Sequence, residues 1–555
     1  MIKKLTSLFL ISALLLCSCD NVRMDEEQTL SVEEAKTETD ALLRKIKVKT
    51  VTNPEMDIYA DETSVADTLA SIDTFPLVVE GDGDVNIEIA AATEMSSSAP
   101  DDWLVEVAKR FNDSAETVDG KRMSVSVRKI TSGEVVTYMT AGAYHPDVYI
   151  PSNDAWGQML TASGIKIEKM HDRIIGNTAG ILIKKDVYDK FTEKYGEATV
   201  KTVIEAANAG DLTFAYTNPY TSSTGLNILT AMLKAFDEEN PLSDKAQQSL
   251  LDYQKTSPPV AYTTAVLRNQ ASKGIINAMV MEEQAYINTP ELKDYVYIPA
   301  GIRHDHPYYY CGSDKGTDYK KECAKIFADF CLEEAQQKLA DEKGFNRHDD
   351  YVGEDSGLDG NGYLAVQKVW KKNKTGGKPI VAVFVADISG SMDGEPLNQL
   401  KSSLINSSTY IGEDNSIGLV SYSNNVTINL PIERFDAKQR AYFSGEVKAL
   451  SAGGGTATYD AVIVALDMLQ RKMEETPDAK PMLFVLTDGD TNTGYEFKRV
   501  KPIVAGLGVP VYSIAYNYSN TDELQQLTDI NEAALIKADS ADIPNQLRNL
   551  FNVAI

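Results

Sequence analysis

Asp387-Ile388-Ser389-Gly390-Ser391 sets a carboxylate and two hydroxyls at alternate positions, and Thr456 and Asp488 extend the set further down the chain. Oxygen donors with few formal charges, and without Cys or His, form a hard ligand set suited to Mg²⁺ or Mn²⁺ and unsuited to zinc. An ion held this way keeps a coordination position for water, which a carboxylate arriving on another molecule can replace. The chemistry on offer is metal-dependent binding.

Each piece falls where an element begins or ends. Ile380 to Ala386 is a continuous apolar run, the pattern of a central parallel strand covered on both faces, and Asp387 follows it directly. Thr456 comes after Gly453-Gly454-Gly455 and before a helix starting near Tyr459, while Asp488 closes the apolar strand Met482 to Leu486. In an open α/β sheet, ligands gather at the carboxyl ends of strands. Helix caps and turns account for any one piece but not for the joint placement. The triple glycine is not a phosphate loop, because no Gly-Lys-Ser/Thr follows it.

The set resembles the metal ion-dependent adhesion site (MIDAS) of von Willebrand factor A (VWA) domains, matching it at all five positions. The resemblance implies a doubly wound, Rossmann-like VWA domain over residues 378–555. It also implies that Ser389, Ser391 and Thr456 ligate Mg²⁺ (or Mn²⁺) through hydroxyls, with Asp387 and Asp488 binding directly or through water. The implied partner is a protein presenting a carboxylate to the metal.

Upstream, strand and helix patterns alternate from Val85 to about Arg347, as in a parallel α/β sheet. An amphipathic helix is expected around Trp103 to Phe111, and another from Cys323 to Lys343, stopping at Gly344. The opening strand, the Trp-bearing helix, Ser132-Gly133, Pro146 to Ile150, Tyr220 to Gly225 and Glu334-Ala335-Gln336 before Gly344-Phe345 occur in a telling order. Together they resemble the type 2 extracellular solute-binding proteins, near the molybdate binders. That implies a two-lobed, periplasmic-binding-protein-like domain over 84–347, closing on a small polar or anionic solute with loop hydroxyls and helix N-termini. By position the ligand-binding residues are Thr93, Ser132, Thr178, Ser223 and Thr224. Each is equally readable as a cap or turn residue, and Asn177-Thr178 departs from the Ser-Pro-like pair usual at that crossover.

The chain opens with Met1-Ile2-Lys3-Lys4, an apolar run to Leu16, and then Cys17-Ser18-Cys19. This predicts a signal peptide over 1–18 whose end resembles a lipobox, with Cys19 as the lipidated residue and a lipid anchor on the extracytoplasmic face of the cell membrane. Residues 19–83 are acidic and poor in aromatics and read as a tether of about 45 Å, with a helix between Ser31 and Lys45 opened by a capping box at Ser31 and Glu34. Residues 348–377 read as a linker holding one helix between Tyr363 and Lys371.

Asp and Glu outnumber Lys and Arg by 81 to 54, a net charge of −27 that repels nucleic acid. Cys323 and Cys331 would sit about 12 Å apart along a helix, too far to bridge, so any disulfide must use Cys311; three free core cysteines are the alternative. No His-Glu-x-x-His, Gly-x-Ser-x-Gly or Walker sequence supports an enzyme. His304-Asp305-His306 could set two imidazoles on one face of a strand but reads as a solvated loop, and Tyr308-Tyr309-Tyr310 reads as packing. The expected role is surface binding: MIDAS-dependent adhesion to a protein partner, with the solute-binding module sensing a ligand or making a second contact. The competing expectation is the substrate-binding lipoprotein of an ABC transporter, with a regulatory VWA domain.

Overall fold

The computed structural model describes residues 30–59, 66, 69–256, 258–261, 267, 268, 270, 271, 276–312, 318–516, 521–530, 535–538, 547, 550 and 551. The signal peptide over 1–18 and Cys19 lie outside them. No helix among the described residues is long and apolar enough to cross a membrane.

Two lobes and a separate sheet make up the α/β architecture. The first lobe is built on a mixed sheet in which Val85–Ala91 runs parallel to both Lys121–Lys129 and Val148–Ile150, with Tyr308–Tyr310 and Glu168–His171 beyond. The second lobe is a five-stranded sheet with Ala278–Glu282 and Thr178–Lys184 at its centre. The chain passes between the lobes at residues 172–177 and again at 304–307. All three tyrosines of Tyr308–Tyr310 are buried, as their packing role requires.

The expected Trp103 helix spans Trp103–Ser114, its indole donating to the Gln336 carbonyl at 2.9 Å. The long helix expected from Cys323 to Lys343 is instead two helices, Asp318–Cys331 and Glu334–Glu342. Gln337 donates to the Cys331 carbonyl at 2.9 Å, satisfying the end of the first helix from the start of the second. Cys311, Cys323 and Cys331 are all free and buried, and burial pushes the Cys323 thiol up to about 12.

The third sheet has the strand order Val48–Thr50, Val426–Arg434, Ser416–Tyr422, Ile380–Asp387, Lys480–Thr487, Val511–Tyr516, Leu535–Ala538. Ile380–Asp387 lies parallel to both neighbours and is buried throughout. Its alternate residues feed two cores: Ile380, Ala382, Phe384 and Ala386 on one face, and Val381, Val383 and Val385 on the other. This double burial is why the sequence shows an apolar run with no alternation.

Two readings of the connecting segments need correction. The tether assigned to 19–83 is, over residues 31–57, a packed arm of the third sheet. Ser31 and Glu34 close the expected capping box, and Val32–Leu43 buries Ala35, Thr39 and Leu42 between the helices Thr458–Glu475 and Phe497–Leu507. Val48–Thr50 then adds a parallel edge strand, and Asp57 pairs with Lys448 at 2.6 Å. The linker assigned to 348–377 carries Gly360–Asn373, a helix capped by Asp359 that packs on helices of both lobes. Its Trp370 is fully buried and donates to the Tyr216 hydroxyl at 2.8 Å. Lys371 and Lys374, at the end of the same helix, donate to the Tyr410 and Phe551 carbonyls of the third sheet's domain. The two-lobed module is thus an insertion between an N-terminal arm and the remainder of the sheet that arm completes.

Candidate metal centre and solute cleft

At the carboxyl edge of the third sheet, Ile380–Asp387 and Lys480–Thr487 end side by side. Their terminal loops bring four of the five expected metal ligands into one hydrogen-bonded group. Asp387 Oδ1 accepts the Ser389 N–H at 2.8 Å, the Ser389 and Ser391 hydroxyls lie 3.1 Å apart, and Ser391 donates to Asp488 Oδ1 at 2.8 Å. Thr456 arrives on a loop stitched to the first by two backbone bonds, Gly453 N–H to the Ile388 carbonyl at 2.8 Å and Gly390 N–H to the Gly454 carbonyl at 3.0 Å. At positions 453 and 454 the chain takes φ of +156° and +92°, a conformation glycine adopts without strain.

Three positioning residues escaped the sequence reading. Thr487 donates to Asp387 Oδ2 at 2.7 Å, Asn492 accepts the Thr456 N–H at 2.8 Å, and Asn424 accepts the Gly455 N–H at 2.8 Å. Thr487 and Asn492 flank Asp488 within a few residues, and that proximity was the available signal.

Burial holds both Asp387 and Asp488 above the ordinary carboxylate range, in spite of bonds from Thr487 and Ser389 to the first and from Ser391 to the second. No basic side chain among the described residues pairs with either. No trio of His, Cys, Asp and Glu among the described residues forms a metal cluster. A hydroxyl-rich set with two carboxylates is a different kind of site, and two unpaired acids with converging hydroxyls fit a hard divalent cation.

Between the lobes of the inserted module lies a cleft of about 390 Å³. Four of the five nominated residues, Thr93, Ser132, Ser223 and Thr224, line it. Thr178 does not: it is fully buried, with its hydroxyl 3.1 Å from Glu283 and 2.8 Å from the Tyr297 hydroxyl. Ser132 and Ser223, at the starts of Ser132–Thr140 and Ser223–Phe236, are 3.2 Å apart and join the two lobes, and the Trp156 indole donates to Ser223 at 2.8 Å. A Cβ on Gly133 would collide with the Tyr220 carbonyl, so the lobes meet at a position that only glycine fits.

The cleft also holds carboxylates that the sequence reading missed, Glu94, Asp101 and Glu282, alongside Lys129 and Arg268. Behind them stand His304 and His306, and here the solvated-loop reading fails. Both imidazoles are fully buried in the second crossover, His306 Nε2 3.2 Å from Glu94 and His304 Nδ1 3.5 Å from Glu282. His306 takes a left-handed φ of +45°, and the carboxylates beside the two rings lie far off in sequence.

The comparisons with known proteins agree with this division. Residues 92–346 match the family model for bacterial extracellular solute-binding proteins, and residues 382–550 match that for the von Willebrand factor type A domain. The chain therefore carries a solute-binding domain followed by a VWA domain, in a mixed α/β fold. Among curated relatives, an uncharacterized protein of Synechocystis (sll0103) is 24% identical over 28% of this chain and 37% of its own length. The inter-alpha-trypsin inhibitor heavy chain H4 of Sus scrofa is 31% identical over 21% of this chain and 13% of its own length. The matches thus span well under half of either relative. Solved structures with likeness include a von Willebrand factor type A protein from Catenulispora acidiphila, at 20% identity over 32% of this chain and 42% of that one, TM-score 0.28. The periplasmic molybdate-binding protein of Azotobacter vinelandii is 12% identical over 47% of this chain and 98% of that one, TM-score 0.31.

Proposed function

We propose that this chain is an extracytoplasmic binding protein, lipid-anchored through Cys19, whose VWA domain grips an acidic group of a protein partner in a Mg²⁺-dependent way. The role is binding without catalysis. The observation that carries this reading is the group of Asp387, Ser389, Ser391 and Asp488 at the sheet edge, with its two carboxylates unrelieved by any basic side chain among the described residues. Those four and Thr456 would hold the ion, which when bound supplies an open position for a partner's carboxylate oxygen. The protein's own share is to fix that geometry: Thr487 orients Asp387, Asn492 anchors Thr456, and the two loops brace each other.

The inserted module supplies a second, small-solute site. Its family points to a place outside the cytoplasm. A pull-down from envelope extract tests the whole reading: capture is expected in Mg²⁺ and lost in EDTA, and equal capture in both would end it. Thr487→Val keeps the shape of the side chain and removes its donor. Calorimetry should then record Mg²⁺ affinity weakened by about ten- to a hundredfold, as for other groups that orient metal ligands.

A further inference from the structure

The solute cleft is not furnished for an oxyanion. An anion would dock at the N-termini of Ser132–Thr140 and Ser223–Phe236, where backbone N–H groups and the helix dipole converge. Protein carboxylates already stand close to both places. Glu282 accepts the Thr224 hydroxyl in the first turn of Ser223–Phe236. Glu94 bonds to Ser152, whose hydroxyl lies 3.3 Å from that of Ser132.

Each carboxylate stands beside an imidazole of the second crossover, Glu94 beside His306 and Glu282 beside His304. Asn227 is oriented by the Ile302 backbone, accepting its N–H at 2.8 Å and donating to its carbonyl at 2.9 Å. The same amide nitrogen lies 3.3 Å from His304 Nε2, so that nitrogen accepts and the ring proton sits on Nδ1, facing Glu282. His306 faces acceptors on both sides, Glu94 and the Ile175 carbonyl. Gln284, which is fully buried, donates to Asp101 at 2.7 Å and leaves Oε1 without a partner at the cleft wall. Gln284 Oε1 is therefore an acceptor awaiting a donor, beside the carboxylates of Glu94 and Glu282.

Resting on the reading of this module as a solute binder, we infer that its ligand presents an organic cation with N–H donors, an ammonium or guanidinium group, to Glu282, Glu94 and Gln284. A bare metal ion is disfavoured, because no trio of ligating acids or imidazoles converges among the described residues. A quaternary ammonium or a sugar ring is disfavoured too, since no aromatic side chain among the described residues lines the cleft. Lys129, also in the lining, leaves room for a zwitterion, whose ammonium end is the shared chemistry.

Calorimetry on the full chain in EDTA, which silences the VWA centre, tests this with putrescine, arginine, choline, molybdate and phosphate as probes. Putrescine or arginine should bind and the other three should not. Binding of putrescine alone identifies a simple cation, and binding of arginine alone a zwitterion. Glu282→Gln should weaken that binding by about ten- to a hundredfold, the worth of a charge-assisted hydrogen bond. Gln284→Met, which removes the unpartnered oxygen, gives a second variant should the first fail to fold, and should weaken binding in the same sense. Molybdate or phosphate binding, or cation binding indifferent to both substitutions, overturns the inference and leaves solute binding standing. Silence with all five probes overturns both.

Discussion

Asp387→Ala should abolish Mg²⁺-dependent capture of the partner while leaving the fold nearly as stable as before. The loss is large because Asp387 anchors the site from below: it holds the Ser389 N–H and receives Thr487, so its removal takes away a charge and the register of the loop together. The stability change is small because two effects oppose. Two donors lose their acceptor, at about 1–3 kcal/mol for a buried group left unsatisfied. Against this, a carboxylate that burial pushes up towards neutrality no longer has to be desolvated. Thermal melts read both. In wild type, Mg²⁺ at about a hundred times its dissociation constant should add about 2.7 kcal/mol of stability, whereas the variant should melt at the same temperature with or without the ion. A variant that still responds to Mg²⁺ would remove Asp387 from the site.

Trp370→Ala should destabilise the solute-binding module by about 3–5 kcal/mol, the usual cost of emptying a large buried aromatic site. Were residues 348–377 only a spacer, the same change would fall within about 0.5 kcal/mol. The indole is fully buried in a core shared with both lobes, packs 6.0 Å from the Tyr220 ring and donates to Tyr216. Denaturant unfolding followed by tyrosine and tryptophan fluorescence distinguishes the two cases.

The VWA-like edge was legible because chain order marks strand ends: an apolar run stops, and a polar cluster follows. The residues that steady it were harder to see. Thr487, Asn492 and Asn424 act through hydrogen bonds whose partners are set by loop closure, and only the nearness of the first two to Asp488 hints at them. The arm hid for a different reason. Its helix buries only Ala35, Thr39 and Leu42, and the three residues of its strand are all exposed, so neither period stands out from the acidic background. Thr93, Ser132, Ser223 and Thr224, nominated by position, line the cleft, whereas Thr178, in the first strand after a crossover, turns inward to Tyr297. His304 and His306 were read past because a charged triplet ordinarily faces water. Both are buried beside Glu94 and Glu282, which sheet pairing and not chain order brings near.

The arm also sets a route for mechanical tension. Residues 31–57 clasp the VWA sheet before the chain enters the solute-binding module, so a pull from the N-terminal side reaches the sheet first. Val48–Thr50 runs alongside Val426–Ile428, and a lengthwise tug strains their rungs all at once instead of unzipping them in turn. Under the proposed function, drag on a captured partner would pass through one domain to the anchor side, sparing the lobes from being prised apart.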